Sequence, residues 1–216
     1  MTADLFSDDT GSPTSLRLGT QAVLLRGFAL PWVQQLLQGV ERAAISAPWR
    51  HMETPGGRRM GVATTNAGAL GWVSDRRGYR YEPHDPLSGQ PWVPMPQAFG
   101  ALAAAAAGEA GFAHFVADAC LINRYAPGTR LSLHQDRDER DLQAPIVSVS
   151  LGLPATFLWG GHHRAEKAMH VPLAHGDVVV WGGADRLRLH GVAPVAQGVH
   201  PLTGPWRINL TFRKAD

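Results

Sequence analysis

The chain has 216 residues, a formal net charge of +2 and a single cysteine, Cys120, which excludes an internal disulfide and any cysteine-based zinc site. No run of about 18 apolar residues occurs, and the N-terminal MTADLFSDDTGSPTS is acidic and polar, so the sequence predicts a soluble, cytoplasmic protein with neither secretory leader nor membrane span. With 24 Gly and 16 Pro, turns are abundant and a β-rich single domain is favoured over a helical bundle.

Residues 1–16 read as a flexible tail and 17–216 as one domain. From Ala29 to Ser46, Trp32, Val33, Leu36, Leu37, Val40 and Ala44 fall on one helical stripe, with Pro31 suited to the first turn. This predicts an amphipathic helix lying on something larger. Residues 49–95 carry Gly and Pro throughout, which predicts short strands and long loops rather than a packed sheet, the kind of segment that often carries recognition. Basic clusters at Arg58–Arg59 and at Arg76, Arg77 and Arg80 are interleaved there with Trp72, Tyr79 and Tyr81. The alanine-rich PQAFGALAAAAAGEAGF predicts a second helix.

Beyond Ala119 the apolar period changes to two. CLINRYA, LSLHQD, IVSVSLG, ATFLWG, AMHVPL, DVVVWGG and WRINLTFR read as strands separated by Gly, Pro and Asp turns. They are too closely spaced for intervening helices, so a double-sheet jelly roll is expected rather than an α/β fold.

The last of these strands alternates most cleanly. Arg207, Asn209, Thr211 and Arg213 share one face and Trp206, Ile208, Leu210 and Phe212 the other. A polar face on a strand inside a sandwich points either to solvent or into a lined cavity. Two arginines about 20 Å apart along one strand suit the cavity reading, because guanidinium forks pair bidentately with carboxylates and together could bracket a small dianion. His134 and Asp136, in LSLHQDRDE, are spaced to share one strand face. A pair of His and one carboxylate is the ligand set of non-haem Fe(II) oxygenases, and His190, in LRLHGV before a turn at Gly191, is the best-placed third ligand. The same His-x-Asp spacing at His175–Asp177 has Gly at its centre and precedes an apolar strand, so it reads as a turn.

LINRYAPGTRLSLHQDRDE, PIVSVSLGLPATFLWGG, HGDVVVWGG and the terminal RINLTFR together resemble the AlkB family of Fe(II)/2-oxoglutarate-dependent dioxygenases, over about residues 20–213. The resemblance implies a double-stranded β-helix core over 119–213 and an N-terminal nucleotide-recognition lid over 49–95. It implies iron ligands at His134, Asp136 and His190, and 2-oxoglutarate held by Asn123, Tyr125, Arg207, Asn209 and Arg213. Trp72 and Tyr79, with the TPGGRRMGVATTN segment, match the lid that stacks on a flipped base; Asp138 and Arg164 match positions near the base edge and Leu121 one near the strand entrance. The implied reaction uses O2 and 2-oxoglutarate to demethylate 1-methyladenine and 3-methylcytosine, in single-stranded DNA first, with double-stranded DNA and RNA as further candidates; nothing in the sequence demands more than a monomer.

Departures from the family lie in the outer layer, at Arg58 and Arg59 after TPGG and in GGHHRAEK around Arg164, and bear on substrate range more than on oxidation. Two other readings stand beside this one. A related oxygenase could act on protein or a small metabolite, and a jelly-roll binding module could use His-x-Asp and a distant His to capture a structural metal.

Overall fold

The computed structural model describes residues 15–216. The expected 1–16 tail falls outside the described residues up to residue 14; its last two residues belong to a strand. In chain order the elements are β1 (Ser15–Arg17), β2 (Ala22–Leu25), α1 (Val33–Ser46), β3 (Ala63–Gly68), β4 (Gly71–Asp75), β5 (Gly78–Glu82), α2 (Gln97–Glu109), β6 (Ala119–Tyr125), β7 (Leu131–His134), β8 (Ile146–Gly152), β9 (Ala155–Trp159), β10 (Met169–Leu173), β11 (Val178–Trp181), β12 (His190–Val192) and β13 (Arg207–Arg213). A seven-stranded sheet runs β1-β2-β11-β8-β13-β6-β3, and a four-stranded sheet runs β10-β9-β12-β7. Helices cover one face of the larger sheet and the smaller sheet covers the other, which is the expected jelly roll with flanking helices. No helix among the described residues is long and apolar enough to cross a membrane.

The outer face of the large sheet holds the main core. Ile122, Val147, Val149, Val178, Val180, Leu210 and Phe212 pack there against Val33, Leu36 and Val40 of α1 and Phe99, Leu102, Ala103 and Ala106 of α2. Short alanine side chains bring α2 close to the sheet, and Phe99 meets Phe212 edge-on at 5.7 Å. On α1 the buried stripe is Val33, Leu36, Gly39, Val40 and Ala43 rather than one ending at Ala44. Gly39 enters it because a Cβ there would stand 2.4 Å from the Phe99 ring. Between the sheets, Leu24, Ile146, Val179 and Trp181 pack on Phe157, Trp159, Val171 and Leu173.

Residues 49–95 differ from expectation at β3. This strand pairs with β6 along its whole length, from Ala63↔Arg124 to Gly68↔Ala119, and all six residues are buried. Its run Ala-Thr-Thr-Asn-Ala-Gly shows no apolar alternation because one face looks onto the polar interior, while Thr65 on the other face donates to the carbonyl of Ala47 at 2.7 Å. The rest of the segment is the β4–β5 hairpin, seated on a small separate core of Ala47, Met52, Val73 and Trp92.

Candidate active site

Burial decides which way the polar face of β13 points. Arg207, Asn209, Thr211 and Arg213 are all buried, so the face is turned into the barrel and away from solvent. Register sets this face against the interior of its neighbours: Arg207 stands opposite Tyr125, Asn209 opposite Asn123 and Thr211 opposite Leu121 on β6, while Ser148 and Ser150 of β8 flank it on the other side.

Arg207 is 1% exposed. Its Nη2 donates to Ser150 Oγ at 3.1 Å and its guanidinium lies 4.8 Å over the Tyr125 ring, but Nε and Nη1 are buried with no partner. Burial also lowers its pKa from the usual arginine value. A guanidinium held in this state fits a carboxylate that accepts from the free N–H groups. Asn209 is already engaged: its amide nitrogen donates to Ser148 Oγ and the Val149 carbonyl, and its oxygen accepts from Thr211 Oγ1. Asn123 is buried beside it.

His134 and His190 come from paired strands of the smaller sheet and are direct register partners, so their rings share a face with centroids 4.4 Å apart. Gly191 does not form the expected turn. It lies inside β12, where a Cβ would meet the Leu131 carbonyl oxygen at 2.6 Å, and the register shifts between His190 and Val192. Asp136 lies past the end of β7 rather than on it, yet its Oδ1 is 3.5 Å from His134 Nε2 and its Oδ2 3.7 Å from His190 Nε2. One ligand atom from each of the three lies within 4.8 Å of the others.

The donor set fits a metal. His134 Nδ1 meets the Ser132 carbonyl at 2.9 Å and His190 Nδ1 the Arg188 carbonyl at 3.1 Å. A carbonyl only accepts, so both Nδ1 atoms carry protons and a neutral ring leaves the Nε2 lone pair free toward the shared point. Burial, and then the neighbouring His134, hold the His190 pKa down to about 4, so that ring is neutral at pH 7. Burial alone would raise the Asp136 pKa, but the Arg213 guanidinium beside it holds it well below the carboxylate range. Two imidazole nitrogens and one ionised carboxylate, with no fourth protein ligand in the cluster among the described residues, match the Fe(II) facial set with open positions.

Arg213 faces Asp136 directly, donating from Nε and Nη2 to Oδ2 at 3.0 and 2.6 Å. Behind it lies a group that the sequence analysis did not single out. Glu139 is buried, accepts hydrogen bonds from Arg186 Nη2 at 3.0 Å and the Tyr81 hydroxyl at 2.6 Å, and lies 3.2 Å from Arg213 Nε as an ion pair. Arg186, 2% exposed, also donates to the backbone carbonyl of Asp136 at 2.7 Å.

The hairpin holds Trp72 and Tyr79 stacked at 5.6 Å and 14°, and Trp72 Nε1 donates to Asp138 Oδ2 at 2.9 Å. Leu121 lies on the interior face of β6. Arg164 is exposed on the loop between β9 and β10, without a hydrogen bond or ion pair among the described residues. Arg80 is tied to Asp75 and Glu82, whereas Arg58 and Arg59 point outward from a turn in which Gly57 takes φ +76°. His175 and Asp177 form the expected turn into β11, with Asp177 paired to Arg26 at 2.6 Å.

Residues 21–213 match the model of the 2OG-Fe(II) oxygenase superfamily. The chain is 54% identical over 212 residues to the alpha-ketoglutarate-dependent dioxygenase AlkB of Escherichia coli, covering 98% of this chain and 97% of that one. It is 35% identical over 126 residues to the human nucleic acid dioxygenase ALKBH1, covering 58% of this chain and 32% of the relative. Among solved structures, that of OsALKBH1 superposes with a TM-score of 0.81 at 28% identity, covering 93% of this chain and all of the other.

Proposed function

The chain belongs to the 2OG-Fe(II) oxygenase superfamily and, within it, to the AlkB family, and from that membership we propose the following assignment of substrate and residues. The protein is an Fe(II)/2-oxoglutarate-dependent dioxygenase that demethylates nucleic acid oxidatively in DNA repair. Its preferred substrates are 1-methyladenine and 3-methylcytosine in single-stranded DNA, and it acts as a monomer. The convergence of His134, Asp136 and His190, with both Nδ1 atoms engaged, is the observation that carries the metal assignment.

When bound, iron and 2-oxoglutarate supply the oxidation: O2 is consumed, 2-oxoglutarate becomes succinate and CO2, and an N-methyl C–H becomes C–OH. The resulting hemiaminal then breaks its C–N bond, releasing formaldehyde and the repaired base. The protein binds, orients and excludes water. Arg207 takes one carboxylate of 2-oxoglutarate through its unpartnered N–H groups, with Tyr125 and Asn123 beside it and Asn209 bracing the wall. Arg213 keeps Asp136 ionised and aimed. Trp181 and Phe157, 4.8 and 6.1 Å from the His190 ring, wall that side against water. The half-buried Trp72, stacked on the exposed Tyr79, offers an aromatic face to an extruded base, and Asp138 an acceptor for its edge. Arg58 and Arg59, without ion pairs among the described residues, suit a phosphate backbone.

Trp72→Ala should raise the Kd for a single-stranded 1-methyladenine oligonucleotide roughly tenfold, as loss of one stacking surface predicts, while 2-oxoglutarate turnover without nucleic acid falls far less. Fluorescence competition measures the first and succinate release the second. Equal losses in both would remove Trp72 from the base pocket. In the same competition a duplex carrying the lesion should bind more weakly, since its base must first be unstacked; tighter duplex binding would contradict the strand preference.

A further inference from the structure

Trp72 and Tyr81 are direct cross-strand partners in the β4–β5 hairpin. Both end in a donor, and the two donors grip adjacent acids: Trp72 Nε1 holds Asp138 and the Tyr81 hydroxyl holds Glu139. The two grips differ in setting. Asp138 is exposed, whereas Glu139 is 6% exposed and is held by Arg186 and Arg213 as well.

We propose that Tyr81 is a positioning residue, which anchors the base-recognition hairpin to the metal site through Glu139, while the Trp72–Asp138 bond is the releasable contact. This deepens the reading of Trp72 and Asp138 as base contacts and rests on it. Glu139 is fixed from behind: Arg186 joins it to the Asp136 backbone carbonyl, and Arg213 joins it to the Asp136 carboxylate. A hydroxyl bound to that carboxylate therefore ties the height of β5 to the position of the metal ligand. A base entering beside Trp72 competes for Asp138, an exposed acceptor that can exchange one donor for another at little cost. The Tyr81–Glu139 bond is part-buried and ends on a buried carboxylate, so it exchanges partners less readily than the exposed one and stays made. The hairpin is thereby kept in register while its outer contact changes partners.

The test is hydrogen–deuterium exchange on the full chain without nucleic acid, compared among wild type, Tyr81→Phe and Trp72→Phe. Tyr81→Phe keeps the ring and removes only the hydroxyl, and Glu139 retains both arginines. Exchange across residues 71–82 should accelerate roughly tenfold, in keeping with the loss of a hydrogen bond to a buried charged acceptor. Trp72→Phe, which deletes the exposed bond and trims the ring stacked on Tyr79, should change it by less than about twofold. In steady state Tyr81→Phe should raise KM for a methylated oligonucleotide by a larger factor than it lowers kcat, because the misplaced hairpin weakens base binding before it affects oxidation. Unchanged exchange in Tyr81→Phe, or equal acceleration in Trp72→Phe, would overturn the anchor. Those outcomes concern the hairpin alone, and failure of the demethylase reading would show separately as an absence of formaldehyde from the wild type.

Discussion

His134→Ala should remove one donor of the proposed metal site and turnover with it, but leave the metal-free fold almost as stable as before. His134 is half-exposed and its hydrogen bond to Ser132 is local, so the stability cost should stay below about 1 kcal/mol. Losing a partner that merely orients a ligand typically costs about 10–100-fold in affinity or activity; deleting a ligand atom should exceed about a hundredfold. Asp136→Ala should be equally inactive yet measurably less stable. It strips the buried Arg213 guanidinium of the carboxylate 2.6 Å away, and a buried charge deprived of its partner costs about 3–5 kcal/mol; Glu139, still in contact, should hold the loss near the lower end. Denaturant titration of the metal-free variants and iron binding read the two effects apart. Near-normal demethylation by either variant would refute the ligand assignment.

Arg207→Met should stabilise the protein while disabling it. In wild type the guanidinium is buried with two nitrogens unpartnered, an arrangement that costs free energy until a carboxylate arrives. A flexible apolar side chain of similar reach removes that cost. A gain of about 1 kcal/mol corresponds to roughly 2–4 °C in Tm for a chain of this size. KM for 2-oxoglutarate should rise by about two orders of magnitude, the scale on which charge-assisted pairs at roughly 3 kcal/mol act. A variant that is both destabilised and normal toward 2-oxoglutarate would remove Arg207 from the cosubstrate site.

The parts of the fold legible in the sequence are those where one side of a strand differs from the other. β13 announced itself because apolar and polar residues alternate along its whole length, although alternation alone could not say whether the polar face met water or a cavity; burial of Arg207 and Arg213 decides it. β8 and β9 begin where the pattern predicts. β3 was illegible because Thr64, Thr65 and Asn66 are polar on both faces, and β12 because three residues carry no period. His134, Asp136 and His190 are singled out by ligand type and spacing, and the fold brings the three together, with Asp136 lying beyond the end of its strand. Glu139 and Arg186 were not found. Within a run of charges nothing marks which members are buried, and the pairing of Arg186 with Glu139 spans 47 residues that only the fold brings together. Tyr81 was visible only as an aromatic in a basic loop; its hydroxyl acquires meaning once the hairpin is folded over that acid.

The most direct test is a single reconstitution. The protein is loaded anaerobically with Fe(II) and 2-oxoglutarate, then exposed to air with a short single-stranded oligonucleotide carrying one 1-methyladenine, and the strand is weighed by mass spectrometry. An oxidative demethylase removes the mass of one CH2, only when iron and 2-oxoglutarate are both present, with formaldehyde and succinate formed in step. An unchanged strand beside accumulating succinate would contradict the substrate, and an unchanged strand without succinate would contradict the oxygenase itself.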